Sequence, residues 1–211
     1  QIITGRYPFA NGMPRVIYKP EHKEFLNPKI QPSFARQLQT KGYKTCIAGK
    51  WQLSFLQKHD VIQDFGFDDY LTWQILDGKQ KTERHFSPFY RNNGKVVADQ
   101  FVGKFGPDVL CDFVIDFIDK NKQGPFCAYY TSLLPHWPFV PTPDSASQKI
   151  VKDKMGNPAY YPDMITYLDK NVGRIMDKIK ALGLEENTVF IFAADNGSEQ
   201  TLSNQWGPDN V

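Results

Sequence analysis

Apolar positions recur along this chain in two spacings, and the alternation between them predicts the elements. Between Pro107 and Asn121, the residues Val109, Leu110, Phe113, Val114, Phe117 and Ile118 make one apolar stripe, with Asp108, Asp112, Asp116 and Asp119 outside it. That is an amphipathic helix, and Gly124-Pro125 breaks it. A longer helix is predicted from about Pro162 to Leu182, where Met164, Leu168, Val172, Ile175, Ile179 and Leu182 follow at three or four residues, and Gly183 is its expected stop. A short helix opens at Pro32-Ser33, carries Phe34 and Leu38 on one face and ends at Gly42. Between these lie short apolar runs without helical spacing: Tyr43 to Ala48, Phe126 to Leu134, and Thr188 to Ala194. They read as strands, the second of them buried and the last buried on both faces as in a parallel sheet covered by helices. Helices alternating with strands predict an α/β fold with a largely parallel sheet and helices on both faces.

The remaining stretches are rich in turn formers. Residues 1–31 contain Tyr7-Pro8, Asn11-Gly12, Met13-Pro14, Lys19-Pro20 and Asn27-Pro28 and read as surface loop. Asn92-Asn93-Gly94-Lys95 reads as a hairpin turn between Phe89-Tyr90 and Val96-Val97. Pro141 to Pro162 is loop-like, and Ser198 to Val211 is a polar tail without an anchoring element.

Composition changes this picture little. The chain has 211 residues, 23% charged and 41% hydrophobic, ordinary for a globular domain or part of a larger one. A net charge of +2 gives no reason to expect nucleic acid or a membrane surface as partner. No apolar run approaches membrane-spanning length. Gln1-Ile2-Ile3-Thr4-Gly5 has neither Met nor a charged leader, so the missing signal peptide says nothing about compartment. Cys46, Cys111 and Cys127 are odd in number, lack CxxC spacing and lie in apolar contexts, which predicts buried free thiols.

The candidate chemistry sits where the strands stop. The run Thr188 to Ala194 ends in Asp195-Asn196-Gly197, a carboxylate and an amide oxygen at a strand's carboxyl end, where ligands bind in open α/β sheets. Hard cations such as Ca²⁺ and Mg²⁺ take such ligands. The same three residues also make an ordinary turn after a core strand. Lys50 and His136 end the other two strands. Each has a plainer reading, Lys50 as a solvated loop lysine and His136 as a strand cap. On one sheet edge, a positive charge, a proton donor and a metal site would suit a tetrahedral sulfate or phosphate ester.

With those residues in view, the chain resembles the formylglycine-dependent sulfatases of the alkaline phosphatase superfamily. Ile2-Ile3-Thr4-Gly5-Arg6-Tyr7-Pro8 is similar to the tail of the sulfatase signature, Cys-x-Pro-Ser-Arg, two residues, then Leu-Leu-Thr-Gly. Gly49-Lys50-Trp51-Gln52-Leu53 resembles Gly-Lys-Trp-His-Leu, and Gly66-Phe67-Asp68-Asp69-Tyr70 resembles the family's Gly-Phe-Asp segment. Pro135-His136-Trp137-Pro138 matches Pro-His-x-Pro, and Met164 to Gly197 matches the long helix, turn, strand and Asp-Asn-Gly. The motifs stand in family order across nearly the whole chain.

The resemblance implies an alkaline phosphatase-like sulfatase fold, with residues 1–211 as part of one catalytic domain truncated at both ends. It implies hydrolysis of sulfate monoesters, on a sulfated small molecule or glycan. Asp195 and Asn196 would ligate a divalent cation, Ca²⁺ before Mg²⁺. Lys50, Gln52 and His136 would bind the sulfate, with Lys50 and His136 in the catalytic group and His136 near the leaving oxygen. The implied nucleophile is a formylglycine hydrate made upstream of Gln1 by the formylglycine-generating enzyme. The implied locale is secreted, periplasmic or lysosomal. Gln52 departs from the family's histidine; it can hydrogen-bond the sulfate but cannot shuttle a proton near neutral pH. Two alternatives stay open: a phosphodiester or phosphonate ester hydrolase of the same superfamily, and a non-catalytic relative that binds sulfated glycans.

Overall fold

The computed structural model describes residues 1–150 and 155–197. In chain order they form α1 (Pro8–Asn11), α2 (Phe34–Gln39), β1 (Lys44–Lys50), β2 (Asp69–Trp73), β3 (Leu76–Asp77), β4 (Gln80–Lys81), β5 (Arg91–Asn92), β6 (Lys95–Val96), α3 (Gly106–Asn121), β7 (Phe126–Thr131) and α4 (Tyr161–Ala181). The main sheet runs β6-β5-β2-β1-β7, and β3-β4 form a separate hairpin. β1 pairs in parallel with β2 and with β7, whereas β5 and β6 are antiparallel additions. The sheet is therefore mixed, parallel where the long strands lie. The expected turn at Asn93-Gly94 joins β5 to β6, both residues at positive φ, 44° and 84°. That is the backbone a tight hairpin requires.

Burial along β1 explains its central place: Thr45 to Gly49 are all buried. Successive side chains point to opposite faces. Ile47 joins a core with Ile17, Leu26, Ala35 of α2, Phe65 and Tyr70, while Ala48 joins one with Leu71, Leu110, Val114, Ile118, Ile175 and Ile179. Helix α2 thus covers one face of the sheet, and α3 with α4 cover the other. A third apolar cluster, Phe105, Leu134, Phe139, Tyr160, Met164 and Tyr167, lies around the loops after β7.

The helices follow the periodicity. α3 buries Val109, Leu110, Val114, Phe117 and Ile118, and α4 buries Met164, Ile175 and Ile179, with Gly183 at φ 68° directly beyond it. The aspartates outside the α3 stripe are not simply solvated. Arg174 of α4 bridges Asp108 and Asp112, and Lys178 reaches Asp119 at 2.6 Å.

Three expectations need correction. β7 is not fully buried: it is the last strand of the sheet, every residue half-exposed, and Cys127 on it is a half-buried thiol, unlike Cys46 and Cys111. Thr188 to Ala194 is not a buried strand. It has no strand pairing among the described residues, and Val189 and Ile191 are 86% and 83% exposed. Apolar and β-branched content reports what a segment can bury; pairing needs a neighbouring strand in register, which propensity does not supply. The predicted tail Ser198 to Val211 lies outside the described residues, as does part of the predicted loop, residues 151–154.

Candidate active site

Lys50 is the last residue of β1, and the strand's partners hold it there. In register it lies beside Trp73 of β2, and the Thr131 hydroxyl at the end of β7 is 3.0 Å from the Lys50 carbonyl and 3.2 Å from that of Ala48. The preceding Gly49 has φ 120°, and a β-carbon there would sit 1.9 Å from the Thr131 carbonyl oxygen. Only glycine lets β7 approach this closely. The motif glycine is thus a packing requirement that fixes where Lys50 leaves the sheet.

His136 follows β7 on the Leu134-to-Phe139 loop. Its Nδ1 lies 2.6 Å from the Trp137 carbonyl oxygen. A carbonyl can only accept, so Nδ1 carries the proton and Nε2 is the free nitrogen.

Between these two stands Arg84, which the sequence reading passed over. It is 7% exposed, its guanidinium lies over the Trp73 ring 4.8 Å from the centroid, and one of its nitrogens donates to the Trp137 carbonyl oxygen. Its backbone is held from several sides. The Glu83 carboxylate accepts from the Arg84 and His85 N–H groups at 2.7 and 2.9 Å, the Tyr90 hydroxyl donates to the Arg84 carbonyl at 2.9 Å, and the Gly106 N–H donates to the His85 carbonyl at 2.6 Å. His85, stacked on Phe105, is 1% exposed, and among the described residues neither ring nitrogen has a hydrogen-bond partner.

The electrostatics tie these groups together. Burial lowers the Lys50 ammonium, Arg84 lowers it further, and Asp195 opposes both. For His136, desolvation by the surrounding protein lowers the imidazole first; the Trp137 carbonyl opposes this, Lys50 and Arg84 add to it, and Asp195 again opposes. Arg84 is pushed down to about 10 by burial, with Glu83 opposing. His85 is pushed down to about 3, by burial first and then by Arg84 and His136. The Tyr129 hydroxyl is raised by burial and by Asp195. Lys50 and His136 therefore lie within the fields of both Arg84 and Asp195 at one end of the sheet, where basic groups outnumber the carboxylate. Such an excess of positive charge is complementary to an anion.

Of the residues expected at the site, Lys50, His136 and Asp195 come together. Gln52 instead lines an open cleft of about 300 Å³ with Gln1, Asn11, Met13, Arg15 and Leu53. Asp195 and Asn196 are exposed, and the Asn196 amide donates to the Gly197 carbonyl at 2.8 Å, a local turn. Among the described residues, no group of three or more His, Cys, Asp or Glu side chains could hold a metal ion. Asp195 and Asn196 match a hard cation in donor chemistry, supplying two oxygens of the six to eight that Ca²⁺ takes.

A protein-family model described as Sulfatase matches residues 1–209. The chain belongs to the sulfatase family. It is 24% identical over 217 residues to an ulvan-active sulfatase of Formosa agariphila, covering 93% of this chain and 40% of that protein. It is 28% identical over 143 residues to an N-acetylglucosamine-6-O-sulfatase of Bacteroides thetaiotaomicron, covering 67% and 22%. This sulfatase chain thus spans between 22% and 40% of the length of those two relatives. Among solved structures, Ps i-CgsB superposes with a TM-score of 0.68 at 21% identity, covering 89% of this chain and 44% of that one. The helix-covered, mostly parallel sheet is that of the alkaline phosphatase-like sulfatases.

Arg84 and His85 escaped the sequence reading because they sit in the stretch Lys79-Gln80-Lys81-Thr82-Glu83-Arg84-His85. A charge-rich run after a turn reads as solvated surface. The available signal was Phe86 beside Arg-His, an aromatic at the point where the polar run turns inward.

Proposed function

We propose that this chain carries part of the catalytic domain of a sulfuric ester hydrolase acting on a sulfated glycan or small molecule. The observation that carries the reading is the meeting of Lys50, His136 and Asp195 at one sheet end, each from a different segment of a chain of the sulfatase family. The names of the two curated relatives, one acting on ulvan and one on sulfated N-acetylglucosamine, support the glycan class.

In this reading Lys50 binds a sulfate oxygen as a point charge, and its half-buried position keeps the contact from being screened by water. His136 presents Nε2 toward the leaving-group oxygen while Nδ1 is tied to the Trp137 carbonyl. The lowered basicity of its imidazole leaves Nε2 without a proton near neutral pH, so only the imidazolium, which lower pH populates, can hand a proton to the leaving oxygen. Asp195 and Asn196 would hold a divalent cation, Ca²⁺ in first place. That cation would supply Lewis acidity, and a formylglycine from the stretch upstream of Gln1 the nucleophile. Gln52 lines the same cleft as Gln1 and gives a hydrogen bond there without proton transfer. The full-length protein would be matured by the formylglycine-generating enzyme in a secreted, periplasmic or lysosomal route.

The test is turnover of an aryl sulfate by the full-length protein coexpressed with that enzyme. Cation-dependent sulfate release is expected. Lys50→Ala should lower kcat/KM by about 10²-fold or more, the scale of losing one donor to developing charge. Asp195→Ala should in addition weaken Ca²⁺ binding in calorimetric titration. A preference for phosphodiesters over sulfate esters would overturn the reading, as would turnover indifferent to both substitutions.

A further inference from the structure

We infer that Arg84 is a positioning residue that aims His136 by gripping the carbonyl to which the imidazole is tied. The inference rests on the role proposed for His136, and the observation beneath it is a shared acceptor. The Trp137 carbonyl oxygen takes both the Arg84 guanidinium N–H and the His136 Nδ1–H. One oxygen with two lone pairs can serve both donors. The guanidinium thereby fixes the peptide plane, and the plane fixes the ring.

Arg84 is built for such a task. It is buried, its cation rests on Trp73, and Trp73 is the register partner of Lys50. Its main chain is held by Glu83 and Tyr90, and that of the next residue, His85, by Gly106. Gly106 packs so close that a β-carbon there would fall 2.1 Å from the Arg84 carbonyl oxygen. The His136 loop is anchored at its far end, where Phe139 bonds Met155 and Asn157, but His136 itself is exposed, and its backbone N–H donates to the Leu133 carbonyl at 3.2 Å. A rigid arginine at the end of the β3–β4 hairpin thus connects the Lys50 strand to the histidine loop. Without it, the Trp137 carbonyl loses the charged donor that aims it, and the hold on the Nδ1 tautomer weakens. The charged and titratable groups acting on His136 are Lys50, Arg84 and Asp195, with His85 behind Arg84.

Two variants and two readouts test this. Arg84→Met keeps a long stem over Trp73 but removes the donors; Arg84→Lys restores a charge and a donor. The chain has four histidines, so ¹⁵N spectra can resolve the His136 ring. In the wild type above its titration, His136 should show the Nδ1-protonated tautomer. Arg84→Met should turn that into a tautomer mixture and lower kcat of the full-length enzyme by about 10²-fold, the cost of a misplaced catalytic group. KM should change by less than about threefold, because substrate binding is not what is lost. Arg84→Lys should recover most of both signals.

An Nε2-protonated His136 in the wild type would overturn the inference even if Arg84→Met does not fold. An unchanged tautomer and kcat in Arg84→Met would also overturn it. So would a raised KM at unchanged kcat, which would put Arg84 on the substrate instead. If the full-length protein shows no sulfate-ester turnover, the proposed function fails by itself, and the nitrogen signature still decides the role of Arg84.

Discussion

At the scale of single residues, the site sets groups that a motif announces beside groups that only packing reveals. His85 is of the second kind, and its burial has a thermodynamic consequence. The unfolded chain binds a proton at this imidazole near pH 6.5, while the folded protein holds it off until about 3. Below pH 6.5 the unfolded state therefore carries the extra proton, so folding stability falls as pH falls through this window. The slope contributed by His85 should be about 1.4 kcal/mol per pH unit. Urea titrations at pH 7 and pH 5.5 should show that loss in the wild type and a smaller one in His85→Phe, whose ring would stack on Phe105 in the same way. Lys50 and His136 could be picked out because each follows an apolar run that forms a paired strand, where the chain is released into loops, whereas the run before Asp195 is unpaired. Arg84 and His85 were not, because two polar residues in a charged stretch carry no periodicity, and their burial comes from Trp73 and Phe105, distant in sequence.

Among the elements, helices were the most legible, since their apolar stripes of three- and four-residue steps are internal to each segment. What each helix does with its polar side was not. The pattern placed the aspartates of α3 only outside its apolar stripe, and Asp108, Asp112 and Asp119 meet Arg174 and Lys178 of α4. These pairs sit at the half-exposed rim of the contact between the two helices, so their worth is modest. Arg174→Ala should cost about 0.5–1 kcal/mol in low salt, shrinking in 1 M NaCl as screening removes the attraction. Thermal melts of the variant at both salt concentrations would measure it. Strand Thr188 to Ala194 failed for a related reason. A helix satisfies its own backbone, whereas a strand depends on a neighbour, and no run of apolar residues states whether the neighbour is present.

In the molecule as a whole, the largely parallel sheet and the helix-covered faces followed from alternating patterns, whereas the strand order did not, and β2 beside β1 was not among the predicted strands. The antiparallel additions β5 and β6 followed only as a local turn at Asn93-Gly94. The two halves of the site also stand on very different foundations. Lys50 ends a strand paired on both sides and buried along five consecutive residues, Thr45 to Gly49, whereas Asp195 follows an unpaired, exposed stretch. In hydrogen–deuterium exchange of the 211-residue chain, the Cys46 to Ala48 amides should exchange only through global unfolding. Those of 189–193 should exchange close to the rate of an unstructured peptide. The site then comes apart in a fixed order: its carboxylate wall opens many times for each opening of its cationic wall, and the protein waits between encounters as a charged cradle with one side ajar.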